Sequence, residues 1–261
     1  MSAWILLERT GVLLPNLYRH IELPEIARLF DSTRLAAFDE QSPLLVKHAG
    51  SKLVSAIQQA PLQWPGVILH SEHGRAAVLA HLRQILFVNF EQTRQGVLRY
   101  SNTSTASYFF PACSATELKF WLGPLNHLSW YGGTWRDKAT GQLRWHEIEN
   151  AAANDWAEPT FAHLPTLSST QQQALERQQK EHFLYQWWLK HPQVEFAHGW
   201  DWLSEGMDLH FTQPATLNGY LALRSRYPTH PLPGSLPQGT EAQRLEQLQS
   251  HLQQLSTGQE S

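Results

Sequence analysis

The sequence predicts an α/β N-terminal lobe, a mixed sheet with flanking helices, followed by an all-α C-terminal lobe. Three observations predict it. Short apolar runs of strand length alternate with helical periodicity through the first 150 residues. The character changes near Asn150, where "NAAANDWAEPTFAHLPTLSS" carries two prolines and no sustained period. Beyond it, the patterned stretches are helical. The expected division is 1–150 for the α/β lobe, 151–167 for a linker, 168–227 for the helical lobe, 228–239 for a proline-rich spacer and 240–261 for a short amphipathic helix and tail. A chain of 261 residues is long enough to bury such cores without disulfide or metal staples.

In order along the chain, Trp4 to Arg9 reads as a short buried strand, an apolar run closed by charge and then Gly11. "SPLLVKH" and "GVILHS" have the same character, each with a proline before it. Between them, "SKLVSAIQQAP" puts Leu53, Ile57 and Ala60 on one helical face, and Pro61 ends it. "GRAAVLAHLRQI" follows as a helix, with Leu79, Leu82 and Leu86 spaced to share a face. "ILFVNFEQTRQGVLRYSN" gives two strand-like runs around a polar segment that includes Gly96, a hairpin pattern. "SATELKFWLGP" carries full helix punctuation: Ser114 and Glu117 at capping-box spacing, Gly123 at the C-terminal end and Pro124 after it. "LNHLSWYGG" and "GQLRWHEIE" are the last strand candidates of the lobe.

In the second lobe, "SSTQQQALERQQKEHFLYQWWLK" offers Ser169 and Gln172 as a capping box and stops at Pro192. "ATLNGYLALRSRY" places Leu217, Tyr220 and Leu221 on a shared helical face. Pro228 to Gly239 contains four prolines and two glycines and reads as a spacer. A glutamine-rich helix closes the chain.

Composition excludes several function classes. The formal net charge is −3, and no segment gathers lysines and arginines, so a phosphate-backbone partner is not expected. The apolar runs are too short to span a bilayer, and "AWILL" breaks at Glu8 and Arg9 with no basic stretch before it, unlike a signal peptide. Cys113 is the single cysteine, so no intrachain disulfide forms and a reducing compartment is favoured. The expectation is a soluble, cytoplasmic protein with no membrane or nucleic-acid partner. Eleven tryptophans and fourteen histidines are its unusual features.

Those histidines pose the first chemical question. "VILHSEHGRAAVLAH" places His70, His73 and His81 within a dozen residues, with Glu72 between the first two. Metal ligands on one helix normally stand four apart on a common face. Here His70 and His73 straddle a strand end and a helix start, and His81 is rotated off the face of His73. The expected reading is structural: Ser71 as helix cap, Glu72 in the first turn and solvated imidazoles. Cys113 precedes a helix N-cap, where a thiol can be acidified, and His127 is a conceivable base. No orienting acid or nucleophile elbow accompanies them, so a packed cysteine is the simpler reading. Asp201 in "GWDW" reads as part of a loop anchored by aromatics between helices. No cofactor is expected.

The order of motifs resembles a bacterial family, the type VI secretion effector adaptors, also called effector chaperones. The matching pieces are "WILLERTGVLLPNLY", "QSPLLVKH", "WPGVILHS" followed by "LAHLRQILFV", "VLRYSN" and "FFPACSATELKFWLGPLNHLSWYG". They cover about residues 4 to 135, with a looser match to Tyr227. The resemblance implies an α/β lobe with a helical lobe, and a non-catalytic adaptor that binds a toxin effector and helps load it onto the VgrG spike. Two other classes stand beside it: a hydrolase using Cys113 or a metal, and a glycan-binding module using exposed tryptophans.

Two sets of residues follow. The family pattern Arg-aromatic-x-Asp-x-Arg precedes the "FFP" helix. Here Arg99 and Tyr100 match, Asn102 replaces the acid and Ser104 the second arginine. Neutral hydrogen bonding is therefore expected in place of a buried ion pair, with Arg99 bonded to backbone carbonyls or to Asn102. In the tail, Leu245, Leu248, Leu252 and Leu255 form a seam two heptads long. It needs a surface, either the protein's own helical lobe or a groove on a partner. The spacer before it favours a tail that is mobile or lightly docked in the free protein, with these leucines binding the partner.

Overall fold

Strand β1 (Ser2–Leu7) is apolar without alternation because both of its faces are covered. Trp4 and Leu6 enter one core with Leu45, Val67, Leu69, Leu128 and Trp130. Ile5 and Leu7 enter the other with Leu44, Val46 and Ile68. The computed structural model describes residues 2–47, 51–91, 94–158, 163–234 and 236–258. It divides into two compact units, Met1–Gln179 and Lys180–Ser261.

In the first unit, α1 (Leu13–His20) and β2 (Ile26–Arg28) precede β3 (Leu44–Lys47), α2 (Ser51–Gln59) and β4 (Gly66–Ser71). Then come α3 (Arg75–Gln84), the hairpin β5 (Phe87–Phe90) and β6 (Arg94–Val97), α4 (Thr103–Phe109) and α5 (Ala115–Leu122). Strand β7 (His127–Gly132), the short α6 (Trp135–Ala139) and β8 (Arg144–Glu149) follow. Six strands make one sheet in the order β2-β3-β1-β4-β7-β8. Leu13, Leu17, Leu53 and Ile57, from α1 and α2, cover one face. Val78, Leu82, Phe109 and Trp121, from α3, α4 and α5, cover the other.

The two-lobe class is as expected, and the sheet has a specific form. All its pairings among the described residues are antiparallel, where the sequence suggested a mixed sheet. Strands β3 and β4 both run antiparallel to β1, which lies between them, and so run parallel to each other. The β3–α2–β4 crossover is a split βαβ unit. Its sequence grammar matches that of a parallel layer although β3 and β4 are not hydrogen-bonded neighbours.

Helix α7 (Ser169–Trp188) begins one residue earlier in its chemistry than the sequence suggested. The Ser168 hydroxyl accepts from Gln171 N–H, and the Gln171 side chain accepts from Ser168 N–H, so the box is Ser168/Gln171 and not Ser169/Gln172. The unit boundary falls inside α7, between residues 179 and 180, not in the segment 151–167. Leu167 and Leu175 join the first unit's core, and Asn89 in β5 exchanges backbone hydrogen bonds with Pro165 and Leu167. Residues 164–167 of that segment are thereby strapped to the sheet lobe.

The second unit holds α8 (Phe196–Asp208), α9 (Pro214–Arg226) and α10 (Glu241–Gly258). Helix α8 occupies the stretch around "GWDW" that reads as a loop. Gly199 and Gly206 obscure it in the sequence, yet both have packing reasons. A Cβ at Gly206 would lie 2.8 Å from the Tyr220 ring, and one at Gly199 3.1 Å from Leu184. The spacer after α9 is tied down by Arg224, whose guanidinium donates to the carbonyls of Tyr227, Pro228 and His230.

Candidate functional site

The residues "RYSN" at 99–102 divide their work between two sides of the loop that leads into α4. Arg99 and Ser101 both donate to the carboxylate of Glu8, one to each oxygen. Glu8 stands just past the end of β1, nearly buried, and its own N–H donates to Pro65 O at 2.8 Å. Tyr100 turns the other way into the core, where its hydroxyl donates to Leu82 O at 2.7 Å. Burial first, and then the nearby Glu8 charge, push its phenol well above the usual range. Asn102 caps α4, its side-chain oxygen accepting from Ser104 N–H (3.0 Å) and Thr105 N–H (3.2 Å).

This corrects the expectation for Arg99. Its partner is neither Asn102 nor a backbone carbonyl but a carboxylate some ninety residues earlier. An ion pair is present, and Glu8 supplies its acid. Sequence reading saw Glu8 only as the charge that closes a strand. The available signal was a carboxylate ending a doubly buried strand beside an arginine motif that lacked its acid. Such a residue needs a charged or hydrogen-bonding partner. The cluster locks the end of β1 to the start of α4, with both Glu8 carboxylate oxygens accepting hydrogen bonds.

The three histidines of the first stretch go to three different places. His70 faces the sheet groove beside His127, their rings edge to face at 5.4 Å. His73 bonds Ala153 O through Nε2 at 2.8 Å and is half-buried. His81 lies on the inner face of α3, 3 % exposed, with Nε2 at 3.0 Å from Trp121 O. Desolvation lowers its pKa to about 4. Gly123, at φ +53°, closes over it: a Cβ there would sit 2.4 Å from the ring. So His81 is not the solvated imidazole expected, because α3 rotates Val78, His81 and Leu82 inward together, while His70 and His73 are partly buried. Gly74 caps α3, and Ser71 instead accepts from His73 N–H while donating to Pro124 O at 2.6 Å. No group of three histidines, cysteines or acids among the described residues could hold a metal ion.

Cys113 is also committed structurally. Its thiol contacts Phe109 O at 3.3 Å, and the Gln171 amide donates to the sulfur at 3.3 Å. Burial pushes the thiol up to about 12, which leaves it protonated at neutral pH.

The tail is docked. Leu248 and Leu252 are fully buried, and Leu245 and Leu255 half-buried. Leu245 packs over Gly219 of α9. Glu241 accepts from Thr212 N–H (3.0 Å), Gln213 N–H (3.1 Å) and the Thr216 hydroxyl, which, with the Thr212 hydroxyl, hold its carboxyl near 2. Arg244 donates to Leu209 O and His210 O. The leucine seam expected to meet a partner is therefore closed on the protein's own helical unit.

A six-stranded antiparallel sheet with helices on both faces, and a polar cluster that ties β1 to α4, make an α/β scaffold; the second unit is all-helical. The family model that matches the chain is described as a domain of unknown function, DUF4123, and spans residues 8–119, from the Glu8 carboxylate through Arg99 and into α5. No curated protein and no solved structure matches the chain.

Proposed function

We propose that this chain is a non-catalytic adaptor that holds a type VI secretion toxin effector in the cytoplasm of the producing cell and helps load it onto the VgrG spike. The observation that carries the reading is the match over residues 8–119, because that domain family is associated with type VI secretion effectors. The chemistry of the site supports it. Glu8, Arg99 and Ser101 are directed at one another, Cys113 is a raised, hydrogen-bonded thiol, and the histidines are dispersed. None of these arrangements presents a poised nucleophile with its base. No helix among the described residues is long and apolar enough to cross a membrane.

The test is affinity capture of the tagged full chain from its native cell, with identification of what is retained. The expected result is a stoichiometric complex with a toxin or a spike protein. Recovery of neither would contradict the reading, as would turnover of a small substrate that is lost in Cys113→Ser.

A further inference from the structure

Strand β8 ends the six-stranded sheet, and among the described residues no strand pairs with its outer edge. The ladder fixes which of its backbone groups are available there. Asn150 N–H donates to Asn126 O, and these residues stand opposite each other one step beyond His127↔Glu149. Hydrogen-bonded pairs alternate in an antiparallel ladder, so Ile148, His146 and Arg144 turn their N–H and C=O groups toward β7. Trp145, Glu147 and Glu149 then turn theirs outward. By the period of two, the side chains of these same three residues share one sheet face.

That face carries a groove of about 600 Å³, lined by Ile68, His70, His127, Ser129, Trp145 and Glu147 among others. Glu147 is 68 % exposed at its rim, its carboxylate 3.7 Å from His127 Nε2, and Glu149 is exposed on the same face. The edge thus offers backbone donors and acceptors two residues apart, an indole and two carboxylates, all in one register.

We infer that the outer edge of β8 accepts an extended segment of a protein partner as a seventh strand. The segment carries an apolar side chain opposite Trp145 and basic side chains opposite Glu147 and Glu149. Backbone pairing supplies affinity and the alternate side chains supply selectivity, as in strand addition generally. Residues directly opposite in a ladder share a face, so the basic groups meet the two carboxylates while the intervening positions point away. Exposed charge also serves to blunt sheet edges against association. Here, however, the two acids are of one sign and border a groove, so they admit a cationic strand while repelling an acidic one. This deepens the adaptor reading, on which only the identity of the segment's owner rests.

The test follows backbone amide exchange in the full chain by NMR. The probes are a synthetic peptide alternating lysine with threonine and ending in leucine, and its glutamate counterpart. The lysine peptide is expected to slow exchange at Trp145, Glu147 and Glu149 by about tenfold or more, leaving the inward amides of His146 and Ile148 unchanged. The glutamate peptide is expected to have no effect. The double variant Glu147→Lys, Glu149→Lys is expected to reverse that preference. Glu147→Pro removes an outward N–H without touching the ladder to β7 and is expected to abolish the protection while β7 stays protected. Unchanged exchange with the lysine peptide overturns the proposal, as does equal slowing by both peptides. So does protection that appears without peptide and tracks a doubling of mass, which would make a second copy of this chain the occupant. Peptide failure alongside successful toxin capture sinks the edge and spares the adaptor; the reverse pattern spares the edge.

Discussion

Glu8 is held in a nearly buried position by two side-chain donors, Arg99 and Ser101, and removing Arg99 tests whether the "RYSN" segment is structural. The Arg99 side chain is 41 % exposed and Glu8's only 12 %, so the cost falls mainly on the carboxylate. Breaking a fully buried pair costs about 3–5 kcal/mol; with one partner in contact with solvent, Arg99→Ala is expected to cost about 1–3 kcal/mol, the range for leaving a buried polar group unsatisfied. Urea titration measures it, and an unchanged midpoint would contradict the assignment. His81 gives a second residue-scale expectation. Its folded pKa lies at about 4 against an ordinary 6.5, because burial disfavours the charged ring. Between those values the unfolded chain binds more protons than the folded one, so stability falls as the pH drops through that window and is fully present above it. The loss amounts to about 3 kcal/mol from this one group. His81→Gln is expected to flatten that slope when urea midpoints are compared at pH 7 and pH 4.5; parallel slopes would show that the imidazole is not the cause. At this scale the sequence revealed the Ser114–Glu117 box, which forms with Gly123 ending α5 as written. It did not reveal which way His81 points, because Leu79 and Leu86 suggested a face that the packing of Val78 and Leu82 displaced.

The elements were legible where punctuation and burial agreed. Strands β1, β3 and β4 read as continuous apolar runs because helices cover both sheet faces, and α2 and α9 read from their apolar spacing. Helix α8 was not legible, since Gly199 and Gly206 are weak helix formers whose value lies in close approach to Leu184 and Tyr220. The partner of Arg99 was not legible either, because a pairing across ninety residues leaves no local pattern. Helix α10 was read as a helix whose seam meets either the protein's own helical lobe or a partner, in a tail mobile or lightly docked; in the free chain the seam is docked on the helical unit. Its leucines are closed on the second unit, so deleting residues 240–261 is expected to destabilise that unit, not to leave it intact. Loss of helical circular dichroism beyond the deleted helix, or aggregation, would show this; a soluble truncated chain with an unchanged melt would contradict it. The point variant Leu252→Ala isolates the packing term and is expected to cost about 2–5 kcal/mol. The same closure removes the tail leucines as a ready partner surface in the free protein.

At the scale of the whole molecule, the adaptor reading rests on the family-model match over residues 8–119 and on the surfaces the fold presents. The matched segment ends inside α5, and the rest of the first unit supplies β7 and β8, whose outer edge gives the molecule a backbone acceptor. On the proposed adaptor reading, a complex formed at this edge is expected to weaken with salt where carboxylates contribute. A salt titration of the captured complex would check this, and affinity independent of salt would remove Glu147 and Glu149 from the interface. Loading is the central claim, and it has a direct readout. The spike protein is captured from native cells with and without this chain, and the toxin retained on it is quantified. The account predicts that toxin accompanies the spike when the chain is present and is lost, at equal toxin expression, when the chain is deleted. Equal toxin on the spike in both cells would contradict it.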